Sequence, residues 1–129
     1  MELEILDATE KEYFYFGGVK SLESIVGKAF LEYYTQERLK RGIWSNGIRI
    51  KSQELDCDFM KAGQKMKRRL RYIDTELMED VVTLTISDNK IFISSSYKEH
   101  YGLAVESPGL VHLLKILWQN QWQSAAENK

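Results

Sequence analysis

The stretch Val81–Ser96, VVTLTISDNKIFISSS, constrains the fold more than any other part of this chain. Val81–Ile86 and Ile91–Ile93 are rich in β-branched residues, and Ser87-Asp88-Asn89-Lys90 between them carries two turn formers. Two such runs joined by an Asx-rich turn predict a β-hairpin. Both strands are apolar or hydroxylated on both faces, the pattern of strands buried inside a sheet. The hairpin is expected at the centre of the fold, with the rest of the chain covering it.

The flanking segments supply helices and further strands. Met1–Thr9, with Leu3, Ile5 and Leu6, reads as the end of a linker helix. Glu12–Phe16 is a short aromatic strand stopped by Gly17-Gly18, and three adjacent aromatics are seldom left in water. Ser21–Arg41 predicts a long helix N-capped by Ser21. Leu22, Ile25, Val26, Ala29, Phe30, Tyr33 and Tyr34 form its apolar stripe, and Gly42 closes it. Gly47–Lys51 predicts a strand with Ile48 and Ile50 inward and Arg49 and Lys51 outward.

Phe59–Arg71 predicts a second, shorter helix, with Phe59, Met60, Met66 and Leu70 turned inward. Its other face carries Lys61, Lys65, Lys67, Arg68, Arg69 and Arg71, a solvated face or an anion and nucleic-acid patch. Arg71–Asp74 then forms a strand delivering Tyr72, and Gly102–Glu106 another. Ser107-Pro108 opens the last helix, with Ser at the N-cap and Pro at N1. Leu110, Val111, Leu113, Leu114, Ile116, Leu117, Trp118 and Trp122 make that helix apolar almost all round. It is therefore either deeply buried or shares a face with a partner chain. Gln123–Lys129 is expected to fray.

Strands and helices in this order predict an α/β fold with a mixed β-sheet flanked by helices. The 129 residues suffice for one domain, 1–129, with a real core. A formal net charge of −1 gives the domain as a whole no electrostatic claim on nucleic acid or anionic membrane. The single cysteine, Cys57, cannot form an internal disulfide, so a reducing cytoplasm is expected. No apolar run approaches the roughly 18–20 residues needed to span a bilayer. A glycine-rich phosphate loop is lacking, and one Cys with two distant His does not make a zinc site, so no cofactor or metal is expected.

Several strings carry a resemblance: FGGVKSLESIVGKAF, the helix end ERLKRGI, the strand IRI, the hairpin VTLTISDNKIFISSS, and GLAVESPGLVHLLKILWQNQW. Together they span nearly the whole chain, and in this order it resembles the phospholipase D-like domain at the C-terminal end of TrmB-type transcriptional regulators. None of these strings is a catalytic signature. In phospholipase D enzymes the hairpin bears His-x-Lys-x4-Asp, with Gly-Ser and Asn on the next strand; the His is the nucleophile and the Lys binds phosphate. Matched on the turn, the His position is Val81, the Lys position Thr83, and only Asp88 survives. The Gly-Ser pair falls on Ser95-Ser96 and the Asn on Lys98. Valine cannot attack phosphorus and threonine cannot neutralise a phosphate. Neither His100 nor His112 has a Lys two residues on, so neither rebuilds the motif. His112 is read as structural, and Asp88 as a turn residue bonding its own backbone.

The resemblance implies a non-catalytic ligand-sensing and dimerisation domain, with DNA bound only through a winged helix-turn-helix absent from these residues. A small-molecule effector is expected near the hydroxyls of Thr83, Thr85, Ser94, Ser95 and Ser96. A homodimer is expected through Leu110, Leu114, Leu117, Trp118 and Trp122. Two alternatives stay open: a phosphodiesterase or nuclease with a rebuilt site, and a stand-alone nucleic-acid binder acting through Lys61–Arg71.

Overall fold

The computed structural model describes residues 2–17, 23, 26–54, 57–74, 83–94 and 102–127. Expectations for Ser21, Leu22, Ile25, Val81, Ser95, Ser96, Lys98 and His100 lie outside them. The elements are α1 (Glu2–Asp7), β1 (Glu12–Gly17), α2 (Lys28–Lys40), β2 (Trp44–Ile50), β3 (Arg68–Ile73), β4 (Thr83–Ile86), β5 (Lys90–Ser94), β6 (Gly102–Glu106), α3 (Pro108–Ser124) and β7 (Ala126–Glu127). All seven strands join one mixed sheet in the order β6-β5-β4-β1-β2-β3-β7. Strands β1, β2 and β3 run parallel, and the remaining pairs are antiparallel.

The hairpin forms as its sequence demands. Thr83–Ile86 pairs with Ile91–Ser94 around a two-residue turn, and Ser87 closes it by donating from both N–H and Oγ to Lys90 O (3.0 Å each). Both strands are interior to the sheet, but the middle position belongs to the aromatic strand β1. Asp88 bonds beyond its own turn: its Oδ2 accepts from Glu10 N–H at 2.9 Å and ties the turn to the entrance of β1.

Side chains alternate between two faces. On one, Phe14, Phe16, Ile48, Leu84, Ile86, Ile91 and Ile93 pack under α3 through Val111 and Trp118. The Trp118 Nε1–H donates to Tyr15 O at 2.9 Å, and its ring meets Phe14 edge-on and stacks on Trp122. Ser107 caps α3 by accepting from Leu110 N–H at 3.1 Å, with Pro108 at N1. On the other face, Tyr13 and Phe92 meet Ile5 and Leu6 of α1. The first residues are thus part of the core and not merely the end of a linker, since Ile5 and Leu6 are buried.

Five expectations are corrected. The long helix is interrupted at Gly27, whose φ of +86° suits a residue without a Cβ, and α2 starts after it. Its inward residues are Leu31, Thr35 and Arg38, whereas Ala29 and Tyr33 are exposed. Leu31, Tyr34, Thr35 and Arg38 share the helical spacing as well as the apolar stripe does, and the sheet selects that face. The expected second helix is absent. Asp58–Met60 is one 3₁₀ turn, Gly63 and Arg68 exchange backbone bonds, and Lys67 sits at φ +48° before β3 begins at Arg68. Arg49 is not outward, because β2 is covered on both faces and the side chain is 1% exposed. The tail does not fray throughout: Ala126–Glu127 pairs with Tyr72 and Arg71.

Candidate functional site

Between the sheet and the α1–α2 layer lies a cavity of ≈ 70 Å³. Its wall is drawn from four strands, two helices and the 3₁₀ turn. Tyr13, Tyr15 and Gly17 come from β1, Ser45 and Arg49 from β2, Arg68 from β3, and Thr83 and Thr85 from β4. Leu31, Tyr34 and Thr35 of α2, Ile5 of α1 and Met60 complete it. The strand residues named share one face of the sheet, as the registers require. That volume admits several water molecules or one small ligand.

Glycines make this wall possible. A Cβ at Gly47 would collide with the Tyr15 ring, and one at Gly17 would approach Thr83 Oγ1 at 2.6 Å. With Gly47 bare, the Tyr15 hydroxyl lies over β2 and accepts from Arg49 Nε at 2.7 Å. Arg49 also donates to Glu54 (2.9 and 3.1 Å) and Met60 O (2.8 Å). Burial pulls the Arg49 guanidinium down, but Tyr15 and Glu54 outweigh it, and the group is held above its ordinary value. Tyr72 hydrogen-bonds the same Glu54, and burial together with that bond raises its phenol.

Two further arginines are buried without a carboxylate among the described residues. Arg38, 0% exposed, donates to the carbonyls of Ile43 (2.7 Å), Met66 (2.6 Å) and Lys67 (2.8 Å). It staples the end of α2 to the turn before β3, and these carbonyl contacts hold that turn out of a helix. Arg68, 5% exposed, donates from Nη1 to Phe59 O at 2.6 Å and Lys61 O at 3.5 Å, and its Nε has no partner. Burial, with the repulsion of Arg49 and Arg38 added, lowers Arg68 from the ordinary arginine value to about 10 despite the nearby Tyr15.

The residues singled out in the sequence are redistributed by this geometry. Thr83 and Thr85 line the cavity, whereas Ser94 sits one strand further out. Of the basic cluster, Arg68 is in the cavity wall. Lys61 and Lys65 are exposed on the loop, and Lys67 and Arg69 flank the Trp44 ring at 6.0 and 4.1 Å. Arg71 lies 4.7 Å from the Trp122 ring and donates to Trp122 O. Acids accompany two of these cations, Asp58 at 3.3 Å from Lys61 and Glu12 at 3.6 Å from Arg69. On α3, Leu110, Leu114, Trp118 and Trp122 turn to the sheet, and Leu117 points outward with Leu113 and Ile116. His112 is exposed and does not pack as a core residue. Periodicity gives an arginine to solvent, so it placed Arg49 outward and gave Arg38 no role in the core. The clue for Arg49 was its place between two isoleucines, two residues after a glycine.

No family model and no curated protein sequence matches the chain. Among solved structures, TrmBL2, an archaeal chromatin protein with a novel mode of DNA binding, is similar with a TM-score of 0.65 at 17% identity. The match covers 95% of this chain and 46% of that one, so this chain spans about half its length. At that identity the likeness is one of fold. No helix among the described residues is long and apolar enough to cross a membrane.

Proposed function

We propose that this chain is the non-catalytic effector-binding and dimerisation domain of a TrmB-like transcriptional regulator. The cavity carries the reading: strands from the middle of the sheet form one of its walls, and polar groups converge on it from β2, β3 and β4. The fold likeness to TrmBL2 supports the regulator class. Thr83, standing where phospholipase D enzymes have their lysine, and Val81, standing where they have their histidine, argue against phosphodiester chemistry. DNA contact on this reading belongs to a winged helix-turn-helix outside these residues.

Dimerisation falls to the outer face of α3. Leu113, Ile116 and Leu117 are 52, 45 and 54% exposed there, and Leu103 of β6 lies on the same side of the sheet. Three large aliphatic side chains within two turns form a contiguous apolar patch of the kind that partner chains cover. Two measurements test the proposal. A thermal-shift screen against small metabolites should find compounds that stabilise the protein; a broad panel with no stabiliser refutes effector binding. Light scattering should give a dimer at low micromolar concentration, and Leu113→Lys with Leu117→Lys should dissociate it. A monomer at every concentration refutes dimerisation.

A further inference from the structure

The cavity has more to say about what fills it, granted the effector reading above. Three buried guanidinium groups, Arg38, Arg49 and Arg68, stand within electrostatic reach of one another. Only Glu54 among the described carboxylates pairs with any of them, and it is taken by Arg49 and Tyr72. Arg38 spends Nη1 and Nη2 on three carbonyls, and its Nε, unpartnered like that of Arg68, is set apart because Arg38 does not line the cavity. Arg68 does line it, with two carbonyl contacts on one nitrogen and none on Nε. A buried cation without a counter-charge is a costly arrangement, and a compensating anion beside it removes much of the cost.

We infer that the cavity takes a small organic monoanion, its carboxylate held by Arg68 and its short apolar body against Ile5, Leu31 and Met60. The guanidinium fork matches a carboxylate's two oxygens. Thr83 and Thr85 bring hydroxyls to the same wall, while Ile5, Leu31 and Met60 offer nothing to an ion's remaining oxygens. A bare phosphate dianion would have to shed its hydration against one available cation, neutral hydroxyls and the apolar side chains of Ile5, Leu31 and Met60. A monocarboxylate of about two to four carbons satisfies both parts of the wall within the available volume.

The test uses the intact chain with acetate, propionate, butyrate and isobutyrate at constant ionic strength, against isobutyramide and inorganic phosphate. At least one carboxylate should raise Tm saturably, on the order of 5–10 °C at a hundredfold excess over Kd. That rise should vanish in Arg68→Met, and the Arg68 Nε–H resonance of the unmodified protein should move with the same saturation curve. The resonance keeps the inference testable if Arg68→Met does not fold. Equal stabilisation by isobutyramide, a rise with phosphate alone, or a carboxylate effect that survives in Arg68→Met overturns it. So does a stationary Arg68 resonance, or no response to any carboxylate. A neutral compound that binds in the wider metabolite screen refutes the anion while leaving the effector reading in place; silence across that screen removes both.

Discussion

Replacing Arg68 by methionine should make this protein more stable. The folded state lowers the guanidinium from its ordinary value to about 10, chiefly by burial. A base depressed on folding carries its charge at a cost. Below about pH 10 both folded and unfolded chains hold the proton, and the folded state bears the full penalty; above about pH 10 the penalty is progressively relieved until the unfolded guanidinium also loses its proton. At ~1.4 kcal/mol per tenfold in the protonation equilibrium, the neutral-pH cost is on the order of 3 kcal/mol. Methionine removes it and keeps a long flexible side chain beside Met60. Against this, Phe59 O and Lys61 O lose the Nη1 donor, which costs about 1–2 kcal/mol. The net gain is about 1–2 kcal/mol, or a Tm higher by roughly 3–8 °C for a chain of this length. Urea denaturation of both proteins at pH 7 measures it, and the gap should narrow as the pH passes 10. A variant less stable than the parent by more than ~1 kcal/mol would refute the reasoning: Arg68 would then be a net structural contributor. A stabilised variant marks Arg68 as a group kept at the expense of stability, which is the signature of a binding site.

Two other substitutions probe the frame around the cavity. Gly47→Ala should cost about 2–4 kcal/mol by displacing the Tyr15 ring and orphaning Arg49 Nε, although alanine is otherwise favoured over glycine in a strand. In a Tyr15→Ala background the same change should cost nothing, and a double-mutant cycle by denaturation showing no coupling would contradict the contact. Trp118→Phe keeps much of the aromatic packing under α3 but removes the donor to Tyr15 O, and should lower stability by about 1–3 kcal/mol in the same assay.

Local chemistry determined much of this protein. The β-branched runs around Ser87–Lys90 could hardly be anything but a hairpin, and Ser107-Pro108 started α3 where a capping hydroxyl and a ring-locked φ allow it. The alternation of Thr83 and Thr85 with Leu84 and Ile86 already divided β4 between two environments, and two of the five hydroxyl residues singled out do line the cavity. Tertiary structure decided the rest. Lys61–Arg71 has helix-like composition, yet the parallel pairing of Arg68–Ile73 with Ser45–Ile50 offers backbone bonds and burial that a short isolated helix cannot match. Arg38, Arg49 and Arg68 look like surface residues in any window of sequence. Their burial depends on carbonyls and a carboxylate that the chain brings near only when folded, across separations of up to 29 residues. Sequence periodicity records which side chains avoid water. It carries no record of a charge that the fold chooses to bury, and the candidate site is made of such charges.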